Sequence, residues 1–363
     1  MSAEDVVLTP SVLPTKEFAS AEPVRVRGWT QCRAALSGQE LVSEPSRAGL
    51  ALEPVSNLLL TDGESHHAVR RVLASYFTRA RLDRVRERLE STCQECISRV
   101  VGKSDADLVM DLAEPIVLEG ILSMMEVPNA HRARLSELAR EMLGLLEPDL
   151  LEAARRRARN AAMRATLVFE RDGAAGRATG LHAVLEEAAR NGSIPVKLAR
   201  STPVVVLHGG YENPLNQLGC VIAWAVENPE RFRYAAQLAP ALLFEEILRV
   251  YSPVRVVARL AAADGIRAGR PFKRGDLVWV DLESANLDQR QFPAPQDVNL
   301  TSKRSHVGFG HGPHLCPGVA LARLEGQALI RVLLSAPADL FHQFTVKWRD
   351  GVVARGPAVV VRR

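Results

Sequence analysis

Residues 309–318 read FGHGPHLCPG, and the run VALARLE follows directly. Glycines and prolines surround one cysteine, Cys316, and an apolar helical pattern begins just after it. This is a way to hold a thiolate. Glycine lets the backbone bend close to sulfur, so that amide N–H groups can point at it. The positive end of the following helix favours negative charge there. Cysteine also suits a soft, strongly donating metal bond. The other cysteines lack this setting. Cys32 and Cys220 read as small buried hydrophobes. Cys93 and Cys96 form a CxxC on a helix, but no second pair completes a zinc site, so they read as helix surface and core.

The rest of the chain is consistent with one folded enzyme-sized body. Of its 363 residues, 47% are hydrophobic and 24% charged, which excludes a disordered chain. A net charge of +4, from 46 basic and 42 acidic residues, is too balanced for a nucleic-acid-binding face. Five scattered cysteines suit a reducing cytoplasm better than a disulfide scaffold. The opening MSAEDVVLTPSVLPTKEF does not read as a secretion signal. No window reaches the roughly 18 uninterrupted apolar residues of a membrane span, so a soluble protein without a membrane anchor is expected.

Helical spacing covers residues 65–79, 80–101, 111–126, 150–172, 194–227, 240–251 and 317–334. Pro203 and Pro214 predict irregularities in the long 194–227 helix. LVWVDL is the best strand, 285–308 reads as a long ordered loop, and FTVKWRDGVVARGPAVVV reads as a hairpin with an Asp-Gly turn. The expected fold is mainly α with small β-sheets, in a single large domain over 25–363 after an N-terminal segment, 1–24.

Residues 309–318 with VALARLE closely resemble the haem-binding signature of the cytochrome P450 family, of the soluble bacterial type. The resemblance implies the P450 fold, with a reduced N-terminal region, and haem b as cofactor. It makes Cys316 the axial ligand of iron, with Phe309, Gly310 and Gly318 in the loop around it. Such a ligand pushes electron density toward O–O cleavage. His66 and Arg70, four apart and so on one helix face, match the family's propionate-binding pair. Arg259 matches a further propionate ligand, and His314 is a fourth candidate. Buried carboxylates need such partners. Glu246 and Arg249, in EILR, match the family's structural ExxR pair. The third member of that network is usually basic. Here Asp297 stands near its place, with Arg290 or Arg304 as substitutes, and Leu287 stands where arginine is common.

Residues 207–216, LHGGYENPLN, resemble the family's oxygen-activating helix. Gly209 and Gly210 would leave room for O2, Glu212 takes the place of the usual acid, and Asn213 replaces the usual threonine. Cleaving O–O heterolytically requires two protons, and an amide is a poorer proton shuttle than a hydroxyl. Delivery is therefore expected through ordered water, Glu212 or a substrate hydroxyl. The resemblance implies a monooxygenase acting on a small organic molecule by hydroxylation, epoxidation or oxidative coupling, in bacterial natural-product biosynthesis. Electrons would come from a ferredoxin and ferredoxin reductase, docking by Arg79, Arg81, Arg84 and Arg86. One alternative is a haem-thiolate enzyme without external electrons: a peroxygenase, isomerase or dehydratase. Another is a non-catalytic member recruiting a carrier protein, a partner that in an active enzyme would present the substrate tethered.

Overall fold

Apolar residues at three- and four-residue spacing turn most of the chain into helix. The computed structural model describes residues 23–362 except 51–56, 268–269, 302–303, 338 and 350. The expected N-terminal segment therefore lies outside the described residues but for its last two positions.

The helices are α1 (Trp29–Ser37), α2 (Gly63–Tyr76), α3 (Arg79–Gly102), α4 (Glu114–Met124), α5 (Asn129–Glu141), α6 (Glu152–Ala174), α7 (Gly180–Arg190), α8 (Val196–Gly209), α9 (Glu212–Glu227), α10 (Pro229–Leu238), α11 (Pro240–Tyr251), α12 (Leu282–Asn286) and α13 (Val319–Ser335). Prolines open α10 and α11, where a missing N–H costs nothing. Thr78 caps α3 and Asp281 caps α12 through their side-chain oxygens. The strands are β1 (Val24–Val26), β2 (Leu41–Val42), β3 (Val256–Ala261), β4 (Gly265–Arg267), β5 (Arg270–Phe272), β6 (Leu277–Asp281), β7 (Phe344–Trp348) and β8 (Pro357–Arg362). The main sheet runs β1-β6-β3-β2, with β1 parallel to β6 and the other neighbours antiparallel. Helix α9 is buried along nearly its whole length and packs against α4, α11, α13 and β8.

Four expectations change in detail. The 194–227 helix is two helices, broken at Gly210–Tyr211 rather than at a proline. Pro214 falls in the first turn of α9, where its absent donor is harmless, and Pro203 is accommodated inside α8. The 285–308 loop is preceded by α12. The closing hairpin pairs Phe344 with Arg362 and Trp348 with Pro357, so its connection is much longer than a two-residue Asp-Gly turn. Cys93 and Cys96 are both buried, so neither lies on the helix surface.

Core packing is tight where α11 meets α13. A Cβ on Gly326 would lie 2.1 Å from Cδ2 of the buried Phe244 ring. Gly326→Ala is therefore expected to lower the unfolding free energy by about 1–3 kcal/mol, read as a lowered denaturant midpoint at unchanged slope.

Candidate active site

One large cavity, about 420 Å³, lies between the α8–α9 break and the loop that carries Cys316. Val205, Gly209, Gly210 and Asn213 line one side; Phe309, Gly310, Cys316 and Leu321 line the other. The glycines of the cysteine loop have structural reasons. Gly310 and Gly312 take φ of +76° and +71°, and a Cβ on Gly312 would lie 2.4 Å from the Leu36 carbonyl. The Cys316 N–H donates to the Phe309 carbonyl at 2.9 Å, closing the loop. Burial pushes the Cys316 thiol up, while the Gly318 amide and Arg70 favour the thiolate. Helix α13 begins at Val319, just beyond it.

That loop is held from below. Arg249 forks onto Glu246 with contacts of 3.0 and 2.9 Å, both residues buried. Its remaining donors reach the carbonyls of Asn286, Pro295 and Asp297 at 3.0, 2.7 and 2.7 Å. Glu246 also accepts the Asn299 N–H at 2.9 Å. Backbone groups thus complete the network, and no third basic side chain is needed. Arg304 instead donates to the carbonyls of Arg290 and Gln291, so neither arginine fills the expected place.

At another part of the cavity wall sit cations without anions. Arg259, on β3, is partly buried, and among the described residues its guanidinium bonds to the Ala258 carbonyl, at 2.7 Å. Arg70 donates to the Leu315 carbonyl. Among the described residues no carboxylate pairs with either. Burial pulls both values down, as expected of charges short of solvation.

 Against that pull, the Cys316 sulfur acts on Arg70 and Asp62 acts on Arg259. His66 is buried with Nδ1 unpartnered, and burial lowers its value to about 4, so its ring is neutral. It stacks on His314 at 4.1 Å. His314 is committed differently: its Nε2 meets Asp62 Oδ1 at 2.8 Å and Ser43 Oγ at 3.3 Å.

The comparisons with known proteins agree with this geometry. The family model described as "Cytochrome P450" matches residues 242–336, the stretch holding both the Arg249 fork and Cys316. Cytochrome P450 107B1 of Saccharopolyspora erythraea is 28% identical over 334 residues, covering 88% of this chain and 80% of the relative. The 6-deoxyerythronolide B hydroxylase of the same organism is 26% identical, covering 94% and 92%. Together these matches support a bacterial cytochrome P450. Among solved structures, P450BioI in complex with an acyl carrier protein superposes with a TM-score of 0.80 at 22% identity, covering 93% of this chain and 91% of that one, a likeness of fold.

A P450 is a monooxygenase-type oxidoreductase whose cofactor is haem, iron protoporphyrin IX. The residues of this chain fit that group. Two arginines and an orphaned imidazole donor or acceptor suit a dianionic edge, and a single cavity-facing sulfur suits the iron. Among the described residues no cluster of three or more His, Cys, Asp or Glu could hold a metal ion. No described helix is long and apolar enough to cross a membrane.

The helix break assigns its residues unequally. Nothing lies within 4 Å of a Cβ built on Gly209, which faces open space, whereas one on Gly210 would lie 2.4 Å from Ile121 Cδ1. Gly210 is small for packing against α4. Asn213 lines the cavity, but Glu212 does not. The Glu212 carboxylate is buried, accepts the Gly144 N–H at 3.0 Å, and lies 3.0 Å from His208 Nε2 in an ion-pair contact off the hydrogen-bond axis. Direct delivery of a proton from Glu212 into the cavity is therefore not what the geometry offers. Tyr211 donates to Glu114 at 2.6 Å, and Glu114 is forked by Arg140.

Sequence reasoning also passed over Asp62 and Glu325. Asp62 stands before Gly63 at the start of α2, a position that suits an acid. Glu325 is wholly buried in α13 with both oxygens unpartnered, and burial keeps its carboxyl neutral well above the usual range. Its only sequence signal is an acid on an apolar helix face. The arginines Arg79, Arg81, Arg84 and Arg86 are not free: they pair with Asp83 or Glu126.

Two outcomes follow from the charges. Arg259→Met is expected to stabilise the haem-free protein by about 1 kcal/mol, because a partly desolvated charge with no carboxylate partner among the described residues is removed. The same change is expected to hasten haem loss from the loaded protein. Urea unfolding of the apoprotein and haem transfer to apomyoglobin measure the two effects. Asp62 is held down to about 2, from an ordinary 3.8, because bonds from His314 and the amides of Glu44 and Ser43 outweigh the rise from burial. Its contribution to stability is complete above the unfolded value and is lost as pH falls from 3.8 toward 2. Asp62→Asn is expected to flatten that part of the acid-unfolding curve.

Proposed function

We propose that this P450 holds haem with Cys316 as axial ligand and His66, Arg70 and Arg259 toward the propionates, and oxygenates a small, apolar, uncharged molecule. The observation that carries the reading is the pairing of one cavity-facing sulfur with cations that have no carboxylate partner among the described residues. His314 orders the site at one remove, through its ring stack on His66 and its bond to Asp62.

Bound haem supplies the iron centre at which oxygen is activated. The chain supplies everything around it. Phe309, Gly310 and Gly318 shape the loop so that the sulfur is presented and its N–H groups stay satisfied. Gly209 leaves space beside the helix break. Asn213 presents an amide there, which donates and accepts but does not pass on a proton through its own atoms. Protons therefore reach the site through water that Asn213 orders, while Glu212 and His208 hold the break in place from behind.

The substrate side supports a neutral ligand. Leu58, Leu60, Leu145, Leu146, Val206 and Val353 line it, all apolar. No arginine lies among the α8 and α9 residues of the lining, which speaks against a peroxide-driven reaction using a substrate carboxylate. Oxidation of a natural-product intermediate agrees with the hydroxylase relative, and cytoplasmic ferredoxin and its reductase are the proposed electron source. With its surface arginines paired, docking would rely less on long-range charge attraction.

Cys316→Ser is expected to keep the fold but to lose the Soret position of a thiolate-bound haem. Asn213→Thr is expected to raise the fraction of reducing equivalents that end in product. Turnover is measured with NADPH, ferredoxin and reductase, against peroxide alone, on free and carrier-tethered candidates. Equal turnover with peroxide alone would favour the electron-independent alternative.

A further inference from the structure

Two stretches of the cavity wall are far apart in sequence yet fastened to each other by one carboxylate. The first is the loop between α5 and α6, which contributes Leu145 and Leu146; the second is the connection between β7 and β8, which contributes Val353. Glu147 lies between them. Its Oε2 accepts the Val352 N–H at 2.9 Å and the Val353 N–H at 3.1 Å, and its Oε1 accepts the Ala354 N–H at 2.7 Å. Three successive amides turned toward one point form a cradle for negative charge. Gly351 makes the approach possible, since a Cβ there would lie 2.4 Å from the Ala354 carbonyl oxygen and 2.7 Å from Glu147 Oε1.

The cradle is itself fixed. The Val353 carbonyl accepts the Arg255 N–H at 2.7 Å, and the Arg355 N–H donates to the Pro253 carbonyl at 2.8 Å. Arg255 and Arg355 share Glu283 at 2.8 and 2.5 Å. The α5–α6 loop is gripped a second time, where Glu212 accepts the Gly144 N–H. The hairpin side is thus braced, and the loop is the lighter partner, held to it by a few bonds.

We propose that Glu147 is the latch of the substrate cavity: its carboxylate holds the α5–α6 loop shut against the hairpin amides, and releasing it admits or discharges ligand. As a positioning residue it also keeps Gly144 on Glu212, so that the helix break adopts its closed arrangement only under a shut roof. This rests on the cavity being the substrate site. A latch of this kind sets rates of passage more than final affinity, because bound and free closed forms both keep it.

Glu147→Gln preserves shape but loses the charge and one acceptor, and Gly351→Ala pushes the carboxylate out from the other side. In the haem-loaded protein, hydrogen exchange at the amides of residues 352–354 is expected to quicken in both variants. Stopped-flow binding of 4-phenylimidazole, followed by its Soret shift, is expected to show association and dissociation both faster by about tenfold, the effect of losing one charge-assisted bond. The dissociation constant should change much less. Faster amide exchange with unaltered binding kinetics in both variants would overturn the latch and leave Glu147 a hairpin staple. Failure of the unaltered, haem-loaded protein to bind the probe would instead overturn the reading of the cavity on which the latch depends.

Discussion

The fork between Arg249 and Glu246 fixes where the cysteine can be. From it a continuous line of hydrogen bonds runs to the sulfur-bearing loop. Arg249 holds the Asn286 carbonyl, and the Asn286 side chain accepts the Val307 N–H at 2.8 Å. The Val307 carbonyl accepts the Gly310 N–H, and the Phe309 carbonyl accepts that of Cys316. Every link is short-range and directional, so a shift at the fork is passed on to the loop. A buried ion pair is a poor source of net stability but leaves a severe deficit when one partner is removed. Its value here lies in position.

A second constraint opposes the first in sign. The fork is saturated, whereas Arg259 and Arg70 are short of partners. On the proposed reading, one part of the site is finished by folding alone and the other by an added anion. The division is sensible in physical terms. The sulfur must already be placed when the cofactor arrives, while the charges on its edge need only be within reach.

Much of this was legible in the sequence where the signal is local. The glycines around Cys316, the i,i+3 spacing of Glu246 and Arg249 and the i,i+4 spacing of His66 and Arg70 all lie within single short segments. What was not legible depends on partners distant in the chain. The completion of the fork uses backbone carbonyls and an amide, which no residue type announces. The direction of Glu212 is set by an amide in another segment, at Gly144, and the helix break follows the glycines because Pro214 falls where a helix tolerates it. The surface arginines read as a free patch until Glu126 and Asp83 are seen beside them. The wide hairpin connection reflects Glu147, which gathers its amides, and a local turn signal carries no trace of that.

The cations without anions have a bearing on how the cell keeps this protein. A newly made chain that has not met its pigment carries buried charge at a raised free energy, and so opens more often than the finished molecule. Binding to the folded form alone lowers that opening in proportion to ligand supply. Proteases would then remove the unfilled chains first. Porphyrin availability would set the standing level of the protein, apart from any control of its synthesis.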